Sequence, residues 1–215
     1  MRLWSRLPSL SGLVAGLRRP KIASLESLAE FMASQSAFVA QKCTIDYCQA
    51  RSGLMWPKLE KEASFRNALD RARWEAYPLV LSDVGIMIEG LIRPALQPAS
   101  MLPFASWLTQ TYADCLNRYG PPKHRDPGSS WDGDVEHFRH RLGQVQMAAP
   151  RPVHEVGGES GAALHRLMPM HPSLTKLDAP MIANNVKLRL ARVYEDLERQ
   201  GDLAAIAARV SPRRF

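Results

Sequence analysis

Histidines three residues apart, a serine inside a glycine run and two carboxylates within an apolar stretch are the groups in this chain that could do chemistry. Asp134, His137 and His140 follow one another at intervals of three, so on a helix they would share a face and could begin a metal site. A closed site needs about four ligands, and the remaining candidates, His154, His165 and His171, fall in segments that read as loops. A carboxylate-bridged iron pair would require two Glu-x-x-His motifs, and the sequence contains none. The expectation is therefore no metal, with Glu136, His137, Arg139 and Arg141 forming a solvated helix face.

Serine chemistry has one candidate. Gly157-Gly158-Glu159-Ser160-Gly161 approaches the nucleophile-elbow pattern, but Ala162 stands where the second elbow glycine belongs and no strand precedes it. A triad built on Ser160 would need His154 or His165 as its base. Ser160 reads better as a turn residue or helix cap. The glycine pair also lacks the Rossmann spacing and a Walker lysine, so no nucleotide cofactor is implied, nor any other. Cys43 and Cys48 lie on different faces of one helix, and Cys115 has apolar neighbours. These thiols read as buried and therefore inert.

Asp83 and Glu89 interrupt the most apolar stretch, Pro78–Ile92. Glu89 has Arg93 four residues later, an ordinary ion pair on a helix face. Asp83 has Met87 at that position, so it must find a donor elsewhere or shift its pKa. Arg71, Arg73 or Asn185 could supply one. Asn184 and Asn185 are poor helix formers placed early in a helix, where they could line a pocket or bond a neighbouring helix. Asp83, Asn184 and Asn185 thus make the candidate polar site. An enzyme would require Asp83, Asn185 and a histidine to meet in one concave pocket.

The elements that must position these groups all carry helical periodicity. Ser24 and Ser27 are candidate caps, with Ser27 and Glu30 in capping-box spacing, and Leu25–Arg51 follows. Trp56-Pro57 opens a second helix that runs through Trp74, reaches Pro78 and continues toward Pro94. Ala99–Tyr119, with Phe104, Trp107, Leu108, Tyr112, Cys115 and Leu116 on one face, and Asp132–Met147 come next. A short apolar stretch, Ala162–Met168, precedes the best-marked helix, which has Asp178 as cap, Ile182, Val186, Leu190, Val193 and Leu197 as its stripe, and Gly201 as its stop. Leu203–Val210 adds a last helix. The aromatics Trp56, Trp74, Trp107 and Tyr112 read as mostly core. No segment alternates with period two and no repeat is present. These patterns predict an all-α, irregular helical bundle of about six to eight helices with no sheet. One helical domain spans 23–210, with Pro/Gly-rich loops near 94–103, 120–131 and 149–161, between a basic leader (1–22) and a basic tail (211–215).

Charge divides the chain unevenly. The sequence has 215 residues and a net charge of +7, yet its first carboxylate is Glu26. Arg2, Arg6, Arg18, Arg19 and Lys21 surround Leu3, Trp4, Leu7 and further leucines. The body between the two ends is close to neutral, so nucleic-acid binding is not expected from it. The leader reads as a solvated tail, a helix lying in an anionic membrane surface, an organellar transit peptide or a poor secretory signal. Arg2, Trp4, Arg6, Leu7, Arg18, Arg19 and Lys21 are the residues that would touch a membrane or an acidic protein partner. No apolar run reaches the ~18–20 residues of a spanning helix. Three cysteines match no disulfide framework or zinc spacing and point to reduced thiols. The expected location is the cytoplasm, peripheral at the inner membrane, or an organelle matrix on the transit-peptide reading.

The segments Phe38-Val39-Ala40-Gln41, Cys48-Gln49-Ala50-Arg51-Ser52-Gly53, Trp74 and Leu81-Ser82-Asp83-Val84 resemble a bacterial all-helical family some of whose members are labelled esterase. The likeness covers residues 38–93 and extends to Pro180–Leu190. It implies a helical fold, while the serine elbow that such a label suggests is missing from this sequence. The favoured expectation is a non-enzymatic helical interaction or adaptor protein recruited by its basic leader. The alternatives are an esterase-like hydrolase using Asp83, a histidine or Ser160, and a lipid- or isoprenoid-binding protein with an apolar cavity at Met87, Ile88 and the late helix.

Overall fold

A computed structural model of the chain describes residues 22–210. In chain order the helices are α1 (Leu25–Ser52), the short α2 (Trp56–Leu59), α3 (Ala63–Ile92), α4 (Met101–Asn117), α5 (Asp132–Gln146), α6 (Gly158–Leu167), the short α7 (Pro172–Thr175), α8 (Ala179–Gln200) and α9 (Leu203–Arg209). The fold is an all-α bundle, with no β-strand among the described residues. An isolated bridge joins Ile22 to Gly201, beside the end of α8.

Helix α3 is the axis of the bundle. Every residue from Val80 to Glu89 is buried, because α1, α4, α5, α6 and α8 all pack against it. A helix enclosed on all sides is apolar all round instead of striped, which is why Pro78–Ile92 is so apolar in the sequence. Helix α8 is the opposite case, a surface helix that buries a single stripe, Ile182, Val186, Leu190, Val193 and Leu197. No helix among the described residues is long and apolar enough to cross a membrane.

Several boundaries differ from expectation for local reasons. The capping box of α1 pairs Ser24 with Ser27 and not Ser27 with Glu30. Ser27 sits three residues after the cap, where its hydroxyl accepts the Ser24 N–H at 3.0 Å. Trp56-Pro57 starts only one helical turn, since the chain breaks at 60–62 before α3 begins at Ala63. Pro78 lies inside a continuous α3, and the Tyr112 hydroxyl donates to its carbonyl at 3.1 Å. Helix α6 begins at Gly158, ahead of the expected Ala162, because Gly157 takes a φ of 87° that only glycine adopts readily and turns the chain into the helix. The aromatic core holds Tyr112 stacked on Phe138 at 4.4 Å, while Trp56, Trp74 and Trp107 are half-buried and Phe38 is exposed.

Close helix contact explains two glycines. A Cβ on Gly85 would lie 2.8 Å from the Phe138 ring, so its absence seats α5 against α3. A Cβ on Gly161 would lie 2.5 Å from the Cα of Ala183, so α6 and α8 meet backbone to backbone there. Changing Gly161 to Ala should therefore overpack this seam and lower stability by about 1–3 kcal/mol. Urea unfolding measures this as a lower midpoint, and an unchanged midpoint would contradict the close approach.

Candidate functional site

Asp83 sits on the enclosed stretch of α3 with no exposed surface. Its donor is neither Arg71, Arg73 nor Asn185 but Arg141 of α5. One terminal nitrogen of Arg141 donates to Asp83 Oδ1 at 2.6 Å, and the other donates to the Ser82 hydroxyl at 2.9 Å. Ser160, inside the first turn of α6, donates its hydroxyl to Asp83 Oδ2. Burial pushes the Asp83 carboxyl above its ordinary value, against the pull of Arg141 and the Ser160 hydrogen bond. One buried carboxylate thus joins α3, α5 and α6.

A cavity of about 280 Å³ opens beside this cluster, lined by Ser82, Tyr112, His137, Arg141, Ser160 and Arg166 among others. A histidine and the neighbours of Asp83 therefore do meet in one hollow, which is half of what an enzyme would require. The bonding is not that of a serine nucleophile. There an imidazole takes the hydroxyl proton and a buried acid orients the imidazole. Here the acid itself accepts from Ser160, while His137 lies 4.0 Å from Glu159. The candidate bases are elsewhere: His154 is exposed, and His165 Nε2 is 2.9 Å from the Thr175 carbonyl. Among the described residues no three His, Cys, Asp or Glu side chains gather to hold a metal ion. Asp134 pairs with Arg125 at 2.8 Å.

The second acid of α3 makes a second clamp. Glu89 and Arg93 form the expected pair at 2.8 Å, but both are buried and so do not form a surface pair. Arg93 also donates to the carbonyls of Val145 at 3.2 Å and, just past the end of α5, Ala148 at 2.6 Å, which ties that end to α3. Burial raises the Glu89 carboxyl and the Arg93 charge lowers it, with burial the larger effect.

The asparagines belong to a different seam. Asn185 accepts from Arg189 at 2.9 Å, and Arg189 also binds Asp46 of α1 at 2.8 Å, while Asn184 is exposed on α8. The expected grouping of Asp83, Asn184 and Asn185 therefore does not form. Nearby, Asp178 does stand at the start of α8, yet its carboxylate makes no cap. It accepts from Tyr47 at 2.8 Å and from Arg51, tying α8 to α1. The Arg51 hydrogen bond holds the Asp178 carboxyl below its ordinary value. Large apolar side chains remain in solvent on either side of this clamp in the sequence: Leu54, Met55, Leu177 and Met181.

The leader residues Arg2, Trp4, Arg6, Leu7, Arg18, Arg19 and Lys21 lie outside the described residues. No family model, curated protein or solved structure matches the chain.

Two outcomes follow from this arrangement. Replacing Ser160 by Ala should cost about 1.5–3 kcal/mol, the worth of a hydrogen bond to a charged group, read from chemical denaturation. A stability equal to wild type would remove Ser160 from the clamp. Burial also pushes the thiols of Cys43 and Cys48 up to about 12 and that of Cys115 to about 11. A disulfide-exchange reagent at mildly alkaline pH should leave all three unmodified in the native protein and label them in concentrated guanidinium chloride. Rapid labelling of any thiol in the native protein would contradict that burial.

Proposed function

We propose that this chain is a non-enzymatic helical interaction protein, brought to an anionic membrane surface by its basic leader. The observation that carries this reading is the engagement of Asp83. The side chains best suited to chemistry, Asp83, Arg141 and Ser160, are bonded to one another as a cross-helix clamp. Charge supports the other half. Residues between the two basic ends are close to neutral overall, so net attraction to an anionic surface comes from the ends, and Arg2, Arg6, Arg18, Arg19 and Lys21 of the leader carry more of it than Arg213 and Arg214 of the tail.

The placement of the ends fits an adaptor. The leader ends at Ile22, whose N–H and C=O bond to Gln200 and Asp202 at the end of α8. The exposed apolar residues Leu177 and Met181 stand at its start. Helix α8 has 22 residues, so the two lie about 33 Å apart. A surface-bound leader would leave that end of α8, with the exposed Leu177 and Met181, available to a partner.

Vesicle flotation tests the recruitment. Arg2, Arg6, Arg18 and Arg19 are all replaced by Ser in the full chain, which changes no residue between 22 and 210. At about 1 kcal/mol per basic residue, affinity for vesicles containing phosphatidylglycerol should fall by about three orders of magnitude. Wild-type binding should also weaken as salt rises. Equal flotation of both proteins, or flotation of neither, would overturn the proposal, and binding to an acidic protein but not to vesicles would reassign the leader to such a partner.

A further inference from the structure

A second hollow lies between α3, α8 and the segment that links α5 to α6, with a volume of about 340 Å³. We propose that it binds a single-chain amphiphile with a carboxylate head. This inference uses none of the leader and stands independently of membrane recruitment.

Three features converge on that ligand class. The volume lies in the range of about 300–1,000 Å³ typical of small-molecule sites. The apolar part of the lining is Met87 and Leu91 of α3 with Val153 of the linking segment, flanked by the exposed Pro150 and Pro152 and by Tyr194 of α8. Ile88 is fully buried and faces away from this lining. The rim carries Arg151 and His154, both exposed. Arg151 has no side-chain hydrogen bond or ion pair among the described residues, and His154 lies 3.9 Å from Glu155. An uncompensated guanidinium at the mouth selects an anionic head over a cationic one. An apolar floor selects an alkyl chain over a compact anion.

The hollow is also held open. Arg93 fixes the carbonyls of Val145 and Ala148 before the segment, and Val156 is fully buried after it. Between these anchors, Pro150 and Pro152 restrict the backbone. The segment is therefore pinned at both ends, and in its middle the Arg151 backbone rests on α3 at Gly90, where a Cβ would lie 3.2 Å from the Arg151 carbonyl oxygen.

The full-length protein is titrated with octanoate, decanoate, dodecanoate and tetradecanoate below their micelle-forming concentrations, with binding read by calorimetry and stoichiometry by native mass spectrometry. One site is expected, with affinity rising about fourfold per methylene until the chain fills the hollow and the rise stops. Dodecyltrimethylammonium should bind at least tenfold more weakly than dodecanoate. Arg151→Glu should weaken the carboxylates by about tenfold, and Leu91→Trp, which fills the floor, should abolish binding in a protein whose helical circular dichroism is retained. Absence of binding at every chain length, or equal binding of the anionic and cationic heads, would overturn the proposal. So would binding that both folded variants leave unchanged. If Leu91→Trp does not fold, the chain-length and head-group series on the native protein decides.

Discussion

A carboxylate on a helix enclosed by its neighbours must either give up its charge or be supplied with donors, because an isolated buried ion is too costly to keep. Asp83 is supplied. Arg141 reaches it from α5 and Ser160 from α6, and neither helix runs beside α3 in sequence. The consequence is a constraint on the whole bundle, since α5 and α6 can dock only in positions that deliver those two donors. Hydrophobic burial along α3 provides most of the driving force but is indifferent to direction. The clamp at Asp83 is directional, so it selects one arrangement among the many that would bury the same apolar surface.

The same device recurs at the other seams. Glu89 and Arg93 fasten the far end of α5, with Arg93 also donating to the carbonyls of Val145 and, just past the helix, Ala148. Asp178 draws Tyr47 and Arg51 to the start of α8, and Arg189 joins Asp46 to α8 further along. Exposed ion pairs contribute little to stability. These differ because at least one partner in each of the first two is withdrawn from water. Removing Arg93 or Arg51 would leave the carboxylate of Glu89 or Asp178 buried without its arginine. The polar residues inside this protein therefore specify how helices meet, and the chemistry they suggest in isolation is subordinate to that role.

How much of this was legible in the sequence depended on whether the signal was local. Helical periodicity is local, so the all-α class, the stripe of α8 and the pair Glu89–Arg93 could be read directly. Asp83 could be recognised as a residue needing a partner, because the demand is local, but the supplier could not. Arg141 lies 58 positions away on a helix whose composition reads as solvated. Ser160 was obscured in the same way: its glycine neighbours suggest a turn, whereas Gly157 starts the helix and Gly161 permits contact with α8. Chemical type alone would group Asn185 with Asp83, whereas its bond to Arg189 places it at the α1–α8 seam. The exposed apolar residues beside Asp178 carry no sequence signal, since an exposed leucine differs from a buried one only by what packs on it.

A double-mutant cycle between Asp83 and Arg141 tests the constraint most directly, using Asp83→Asn, Arg141→Met and the pair, each unfolded in urea. Arg141→Met alone should cost about 3–5 kcal/mol, because it strands a buried carboxylate. In the Asp83→Asn background the same change should cost much less, giving a coupling of about 2–3 kcal/mol. Costs that add to within about 0.5 kcal/mol would show that the two side chains act independently, and the account of Asp83 as the residue that fixes α5 upon α3 would fail.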